Sequence, residues 1–471
     1  MAANTSNNDK GYNVITIAGV FLLGAFITFL NSTFMNVALP DIMKDLKISV
    51  STSQWLSTGF MLAMGIVIPF SAFLIDRFKT KTLFMASIGL FTIGTIIGCF
   101  ADNFAMLLTA RVIQGLAGGI TTPLMQTVFL IIFPIEKRGL AMGIVGIVLA
   151  FAPAIGPTLS GWIINNYPWR YLFYVTLPFA IIDLVLAFFL LKNVTGGKKV
   201  SLDILSFIAS TIGFGALLYG FSNAGNYNWT DAAVYLPLLI GVVFLGIFVW
   251  RQVTMKEPLL NLSVFKSKIF TFSTIIVMIA YAGLISSELI LPMYLENIKG
   301  LSAFDTGLDL MPGAILMGIT SPITGILFDK YGARVLAIPG LIILTLGNFG
   351  LALLSQDTTR MYIIAVYAIR MIGIGMLLMP LTTSGLNSLD RSLYSHGNAA
   401  NNTLRQVAGS IGTSIIITIM SKVTASSNLK NPLDASIQGM NTAFFSIACL
   451  TLLGTILAFF VIKKKEVKID D

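Results

Sequence analysis

The chain contains a succession of uncharged apolar stretches, and their lengths constrain the fold more than any other feature. Twelve stretches lack Asp, Glu, Lys and Arg and reach roughly the 20 residues that a helix needs to cross a membrane. Two more qualify if one charge is tolerated: 171–191 contains Asp183, and 401–421 contains Arg405. Strands of a membrane barrel would instead alternate over about ten residues. The sequence therefore predicts an all-α polytopic membrane protein with 14 transmembrane helices.

The composition agrees with a membrane environment. Charged residues make up 11% of the chain and hydrophobic residues 56%, whereas soluble proteins carry about 25% charged residues. This shortage of charge excludes a water-soluble multidomain enzyme, a nucleic-acid-binding protein and a disordered chain. Cys99 and Cys449 lie in apolar stretches, and the single histidine, His396, is expected in a solvated loop before the thirteenth span. We predict no disulfide framework, no metal site and no cofactor.

The distribution of basic residues predicts the orientation in the membrane. Residues 1–12 are polar, and no small-residue cleavage site follows the first span, so we expect that span to be retained. With the N-terminus inside, 21 of the 30 Lys and Arg residues fall on the cytoplasmic side and seven fall outside, while Arg111 and Arg370 lie within helices. Because basic residues accumulate in cytoplasmic loops, both termini are predicted to be cytoplasmic.

Two short motifs occur twice in the chain. An acidic motif around Asp329 follows span 10, and a weaker copy around Asp76 follows span 2, 253 residues earlier. An arginine-led, glycine-rich motif begins at Arg111 in span 4, and its echo begins at Arg370 in span 12, 259 residues later. The similar offsets indicate an internal repeat.

The repeat divides the chain into two halves. We predict six-helix bundles in 12–192 and 268–462, separated by two inserted transmembrane helices in 201–251. Repeated halves are typical of secondary transporters that rock about a site near the membrane midplane.

Four segments extend these motifs into a family pattern. They are Asn36–Pro40 at the end of span 1, Ala152–Trp162 in span 5, Trp169–Phe173, and Asn402–Gly412 in span 13. On these segments the chain resembles the fourteen-span drug:proton antiporter family of the major facilitator superfamily, and the resemblance covers nearly the whole chain. Span 5 is similar to the antiporter motif with Ser160 in place of one glycine, and the first acidic motif has Lys79 where the family has glycine.

The resemblance implies a major facilitator fold and a specific activity. That activity is proton-coupled efflux of hydrophobic or amphipathic, often cationic, drugs across a bacterial plasma membrane by alternating access. The implied partners are small-molecule drugs, protons and membrane lipid, without nucleic acid, and a monomer is expected. The alternative within the family is proton-coupled export of a specific metabolite or a monovalent cation.

The resemblance also assigns roles to the two kinds of motif. The acidic motifs are implied to latch the halves on the inner side, in tight turns where a carboxylate faces a helix N-terminus or an arginine; these residues are Asp76, Arg77 and Asp329. The antiporter motif is implied to seal the halves against leakage, through Pro153, Gly156 and Pro157. Ordinary solvated turns and generic helix packing are the respective alternatives.

Proton coupling requires a titratable group inside the membrane. Arg111 matches the family's coupling arginine, although an arginine bound to backbone carbonyls would also fit. The family usually places an aspartate after a leucine in span 1, where this chain has Leu30 followed by Asn31. Asparagine does not titrate, so Asn31 is a candidate only for substrate binding, and the coupling proton must bind elsewhere.

Three other acids are predicted to be embedded, and such residues are functional by default. Glu288 in span 9 shares a helix face with Tyr281 and is the leading candidate for binding protons and cationic substrate. Asp309 in span 10 is a second candidate, with an interfacial carboxylate as the alternative. Asp183 in span 6 is a third, for which a structural hydrogen bond is the alternative. Gln406 in span 13 completes the predicted substrate-binding set.

Two further function classes lack support in the sequence. A membrane-embedded enzyme would need a catalytic cluster or a large loop domain, and neither is present. ATP-driven transport would need a Gly-x-x-x-x-Gly-Lys-Ser/Thr loop, which is also absent.

Overall fold

Fourteen α-helices make up most of the molecule, and each is long and apolar enough to cross a membrane. The structure is a computed structural model that describes residues 13–195, 197–198, 200–224, 227–429 and 431–461, and it contains no strand in those residues. The helices are α1 Val14–Leu46, α2 Val50–Arg77, α3 Thr80–Cys99, α4 Phe104–Ile132, α5 Arg138–Asn166, α6 Tyr171–Leu190, α7 Ile204–Ala224, α8 Ala232–Thr254, α9 Lys268–Asn297, α10 Ala303–Tyr331, α11 Arg334–Leu351, α12 Arg360–Asn387, α13 Tyr394–Ala425 and α14 Pro432–Val461. The predicted all-α fold with 14 transmembrane helices is confirmed.

The two groups of six helices pack in the same way. In α1–α6 the pairs with the most extensive contacts are α1 with α4, α5 and α6, α2 with α4, and α3 with α4 and α6. Every one of these pairs recurs eight helices later, in α9–α14. The internal repeat predicted from the motifs is thus a repeat of helix packing. The predicted domain limits 12 and 462 lie outside the described residues.

The two halves meet along two seams. α5 packs against α10 and α12, and α13 packs against α2 and α4, so each seam is the counterpart of the other under the repeat. Because the number of spans is even, α1 begins and α14 ends on the same side of the bundle. We call that side the terminal face; α2 and α10 end there, and α5 and α13 begin there.

The inserted helices lie beside one of the seams. α7 packs against both α2 and α13, while α8 packs mainly on α7 and exposes large apolar side chains such as Val242 and Trp250. Arg251 on α8 donates two hydrogen bonds, of 2.8 and 2.7 Å, to the carboxylate of Asp203. These bonds hold the pKa of the Asp203 carboxyl well below its usual range. An ion pair therefore joins the inserted helices on the terminal face.

Helices extend beyond the apolar stretches that revealed them. α1 continues to Leu46, where Asp45 accepts hydrogen bonds from Trp169 (2.9 Å) and Arg170 (2.7 Å). These bonds lower the pKa of the Asp45 carboxyl. An uncharged stretch marks only the part of a helix inside the membrane, so the polar ends escaped the sequence criterion.

The sequence prediction that His396 lies in a solvated loop was wrong, because it too belongs to a polar helix end that the criterion of uncharged length does not detect. His396 lies in the first turn of α13, not in a loop, and its exposed fraction is 9%. Its Nδ1 accepts a hydrogen bond from the backbone N–H of Asn261 at 3.1 Å. The polar start of α13 is buried because the other half packs against it.

Candidate transport site

Asp329 joins the two halves on the terminal face. It lies in the last turns of α10, and its carboxylate accepts hydrogen bonds from the first backbone N–H groups of α5, at Gly139 (2.7 Å) and Leu140 (2.9 Å). A helix N-terminus carries unpaired donors and partial positive charge, so it favours a carboxylate. The predicted contact with a helix N-terminus is therefore present, although the prediction that Asp329 lies in a turn was wrong.

Asp76 makes the equivalent connection at the other seam. It lies near the end of α2 rather than in the predicted turn, and its Oδ1 accepts a hydrogen bond from the Ser395 hydroxyl of α13 at 2.8 Å. Lys198 forms an ion pair with it at 2.8 Å, and His396 Nε2 lies 3.8 Å away. The neighbouring Arg77 donates to the backbone oxygen of Val200 at 3.2 Å. The weaker motif thus contacts both the opposite half and the segment that leads to α7.

Further polar groups cross the seams on the same face, and the sequence prediction missed them. Arg138, at the start of α5, donates to Asn387 Oδ1 (2.8 Å) and to the Tyr394 hydroxyl (2.9 Å). Two amides of α13 donate to α4 side chains: Asn398 to Thr127 and Asn402 to Gln126. Asn402 belongs to the quoted span 13 motif, but its partner follows only from the packing. These contacts close the terminal face.

Glycines allow α5 and α10 to touch backbone to backbone. A Cβ atom at Gly143 would lie 2.5 Å from the backbone oxygen of Ser321, and one at Gly325 would lie 2.2 Å from that of Gly139. Gly156 serves a different contact, since its Cβ would lie 1.9 Å from Thr33 Oγ1 of α1, within the same half. The close approach between halves thus involves the first half of α5, before the Pro153-to-Pro157 segment.

Pro157 still borders the seam. Its Cβ lies 3.6 Å from the position that a Cβ at Gly307 of α10 would occupy. Pro153 and Pro157 both lie inside α5, which is continuous from Arg138 to Asn166. The sealing role of the antiporter motif stays a prediction.

Arg111 is fully buried in the N-terminal half and is neutralised by dipoles rather than by an acid. Its Nη1 donates to Asn31 Oδ1 (2.5 Å) and to Gln114 Oε1 (2.9 Å), and its guanidinium lies 4.4 Å from the centre of the Phe60 ring. Gln114 in turn donates to Thr95 Oγ1 at 3.0 Å. Asn31 is therefore engaged by Arg111, and its side chain is buried.

Arg370 occupies the comparable place in the C-terminal half. Its Nε donates to Asn348 Oδ1 at 2.8 Å, and its Nη2 donates to the backbone oxygen of Gly283 at 3.1 Å. Its Nη1 has no partner among the described residues. The charges of Arg370 and Glu288 interact electrostatically, although Glu288 is not within ion-pair distance.

Glu288 differs from the other embedded acids because it combines accessibility with an unpaired carboxylate. Its side chain is half-buried on α9, and it forms no hydrogen bond or ion pair with the described residues. Tyr281 lies seven residues earlier on the same helix, two turns away on the same face. The guanidinium of Arg405 on α13 stacks on Tyr281, 4.5 Å from the ring centre. The structure thus places Arg405 against Tyr281, on the face of α9 that also carries Glu288.

Asp309 is held by a cation at the opposite end of the bundle. Arg360, the first residue of α12, donates to both carboxylate oxygens at 2.9 and 2.7 Å. Both partners belong to the C-terminal half. Because Arg360 engages both carboxylate oxygens of Asp309, this carboxylate is less available to a substrate than that of Glu288.

Asp183 is fully buried on α6, and neither carboxylate oxygen has a partner among the described residues. It faces α1, where a Cβ at Gly24 would lie 2.5 Å from its Oδ2, and the apolar side chains of Phe84 and Ile88 are adjacent. An ionised carboxylate without a partner is very costly in such surroundings. We therefore expect Asp183 to be uncharged, and the structural hydrogen bond considered as its alternative role is not found among the described residues.

The close approach of Gly24 to Asp183 predicts that a larger residue at position 24 destabilises the protein. Gly24→Ala is expected to lower the thermal unfolding temperature of the detergent-solubilised protein, because the new methyl group collides with the Asp183 carboxyl; overpacking typically costs about 1–3 kcal/mol. Asp183→Ala should restore much of the loss in the double variant. Gly19→Ala on the same helix is the control, since nothing lies within 4 Å of its added Cβ. Equal effects of Gly24→Ala with and without Asp183 would contradict the assignment.

Gln406 is the last of the predicted site residues, and it borders the seam between the halves. It is half-buried on α13, and its Cγ lies 3.6 Å from the place of a Cβ at Gly65 on α2. Among the described residues, His, Cys, Asp and Glu form no group of three that could hold a metal ion. Arg405 was visible in the sequence as an intramembrane charge, but only the structure gives its neighbours.

Two repeated six-helix halves that meet along two seams and are joined on one face define the molecule as a membrane transporter rather than an enzyme. The Major Facilitator Superfamily model matches residues 21–413, so the chain belongs to that superfamily. The predicted family is confirmed.

Relatives and solved structures agree with this assignment. The "Uncharacterized MFS-type transporter YcnB" of Bacillus subtilis (strain 168) is 49% identical over 463 residues, covering 98% of both chains. The "Lincomycin resistance protein LmrB" of the same organism is 42% identical over 476 residues, covering 99% of both. The solved structure of the proton:xylose symporter XylE matches with a TM-score of 0.66 at 13% identity, covering 97% of both chains. That last likeness concerns the fold alone.

Proposed function

We propose that the chain is a proton-coupled exporter of hydrophobic or amphipathic drugs in a bacterial plasma membrane, with the terminal face in the cytoplasm. The similarity to a lincomycin resistance protein over nearly the full length supports drug efflux. The excess of basic residues on the terminal side supports the orientation. The protein acts by alternating access between the closed terminal face described above and a state in which that face is open.

The proposal of proton coupling rests on the accessibility of Glu288 and on its lack of a partner among the described residues. It is the embedded acid that is both accessible and unpaired, whereas Asp309 is paired and Asp183 is sealed. A coupling carboxylate must exchange protons and be able to bind substrate when it is charged. A half-buried carboxylate without a partner can take up a proton or bind the basic group of a substrate. Proton binding and drug binding then compete at one carboxylate.

The test is substrate-induced proton release in everted membrane vesicles. Lincomycin, ethidium and norfloxacin are added to vesicles that contain the parent protein, Glu288→Gln or Glu296→Gln. Glu296 lies on the same helix but is exposed, so it is the matched control. We expect proton release with the parent and with Glu296→Gln, and none above protein-free vesicles with Glu288→Gln. Proton release from Glu288→Gln equal to that of the parent, at equal protein levels, would show that the coupling acid lies elsewhere.

A further inference from the structure

Arg405 is a buried cation inside the membrane that the proposed coupling mechanism does not use. Its exposed fraction is 6%, it forms no ion pair with the described residues, and its Nε has no hydrogen-bond partner there. Its described neighbour is the face of the Tyr281 ring, which attracts a cation but does not neutralise it. A charge inside a membrane protein is costly unless it is paired or used. The Nε donor of Arg405 is therefore left without an acceptor among the described residues.

Two opposite charges lie along one face of α9. Arg405 of α13 contacts this face at Tyr281, and Glu288 belongs to α9 itself. Arg405 stacks on Tyr281, and Glu288 follows Tyr281 by seven residues on the same face of α9. Seven residues correspond to about 10 Å along a helix. Both Tyr281 and Glu288 are half-buried, so the surface between the two charges is accessible. One end of this surface offers a donor-rich cation, and the other end offers an unpaired carboxylate.

The two other buried arginines, Arg111 and Arg370, are less suited than Arg405 to bind a ligand. Arg111 and Arg370 also each have one nitrogen without a partner among the described residues, Nη2 and Nη1 respectively. However, each donates to two acceptors within its own half, and both have an exposed fraction of 0%. They are part of the packing within their own halves. Arg405 lies instead on α13, which packs against α2 and α4 of the opposite half as well as against α9. A ligand between the halves is therefore within reach of Arg405.

We propose that Arg405 is a specificity-determining residue, which binds the anionic or acceptor-rich end of a dipolar substrate whose basic end lies against Glu288. The proposal rests on the proposed export function and adds the substrate class, namely amphipathic molecules with a basic group and an acidic group at opposite ends of an apolar body. A planar guanidinium suits a carboxylate because it donates two parallel hydrogen bonds to it. The stacked Tyr281 ring holds the guanidinium in place and offers an apolar surface to the body of the substrate.

The experiment compares a zwitterion with its esterified form. Norfloxacin carries a carboxylate and a basic amine, whereas its methyl ester keeps only the amine. Initial export rates of both are measured as a function of concentration in everted vesicles with the parent, Arg405→Gln and Arg405→Lys. We expect the parent to show a lower KM for norfloxacin than for the ester. Arg405→Gln should raise the KM for norfloxacin about tenfold more than the KM for the ester, which corresponds to about 1.4 kcal/mol.

The charge-preserving variant separates recognition from packing. Arg405→Lys keeps the cation but loses the paired donors, so the preference for norfloxacin should be intermediate. Equal changes of KM for the two compounds in Arg405→Gln would overturn the proposal, because a packing role affects both alike. A parent protein that does not favour norfloxacin over its ester would overturn it as well, and this comparison needs no variant to fold. Failure of the coupling proposal gives a different result, since Glu288→Gln would then still release protons with every substrate.

Discussion

Gly325→Ala is expected to reduce the initial rate of export by at least about tenfold, a change equivalent to about 1.4 kcal/mol. The added Cβ would lie 2.2 Å from the backbone oxygen of Gly139 and 2.7 Å from its carbonyl carbon. Backbone atoms cannot turn aside as a side chain does, so α5 and α10 must separate and the closed terminal face is lost. The rate is measured in everted vesicles and normalised to the amount of protein.

A matched control is available for this substitution. Gly89 lies within α3, and nothing is within 4 Å of a Cβ built there. Since alanine is favoured over glycine in a helix by about 1 kcal/mol, Gly89→Ala should fold at least as well as the parent and export at the same rate. If Gly325→Ala exported as fast as Gly89→Ala, the seam between α5 and α10 would not need to close during transport.

Asp329→Ala is expected to shift the protein away from the state that is closed on the terminal face. It removes an acceptor from the backbone N–H groups of Gly139 and Leu140, and hydrogen bonds to charged groups contribute about 1.5–3 kcal/mol each. The shift is measured as faster maleimide labelling of Ser321→Cys, a position buried at the seam, in a protein whose Cys99 and Cys449 are replaced by serine. Everted vesicles expose the proposed cytoplasmic side to the reagent.

Two further variants serve as references for the labelling rate. Asp329→Asn keeps one acceptor oxygen without the charge, so its labelling rate should fall between those of the parent and Asp329→Ala. Asp390→Ala removes an exposed carboxylate that precedes a short helical turn on the same face and caps no backbone group, so it should label like the parent. Labelling of Asp329→Ala at the parent rate would mean that the carboxylate does not hold the halves together.

The sequence predicted the parts of this fold that depend on the membrane and on internal repetition. Uncharged length identifies a span whatever its neighbours are, which is why even the interrupted spans with Asp183 and Arg405 were found. The repeat predicted paired halves, and the rule that a carboxylate favours a helix N-terminus predicted the contact of Asp329. These inferences need only local composition and backbone physics.

The remaining features depend on which side of a helix meets which neighbour. Gly143 and Gly156 lie in one helix, yet the first contacts the opposite half and the second contacts α1. The sequence ranked Glu288 above Asp309 as an embedded acid, but the pairing of Asp309 with Arg360 follows only from the packing. His396 appeared solvated because its segment is polar, although a polar segment is readily buried where another polar segment faces it. Such distinctions require three-dimensional packing.

The position of α7 has a consequence for how a lipid-soluble drug reaches the protein. α7 contacts both α2 and α13, and Ser414 of α13 donates to the backbone oxygen of Phe221 on α7. Trp229, in the segment between α7 and α8, donates to Thr418 of α13 at 2.9 Å. α7 therefore covers the seam between α2 and α13 from the side of the bilayer. We expect α7 to close this seam to a compound dissolved among the acyl chains, so that such a compound enters the protein elsewhere.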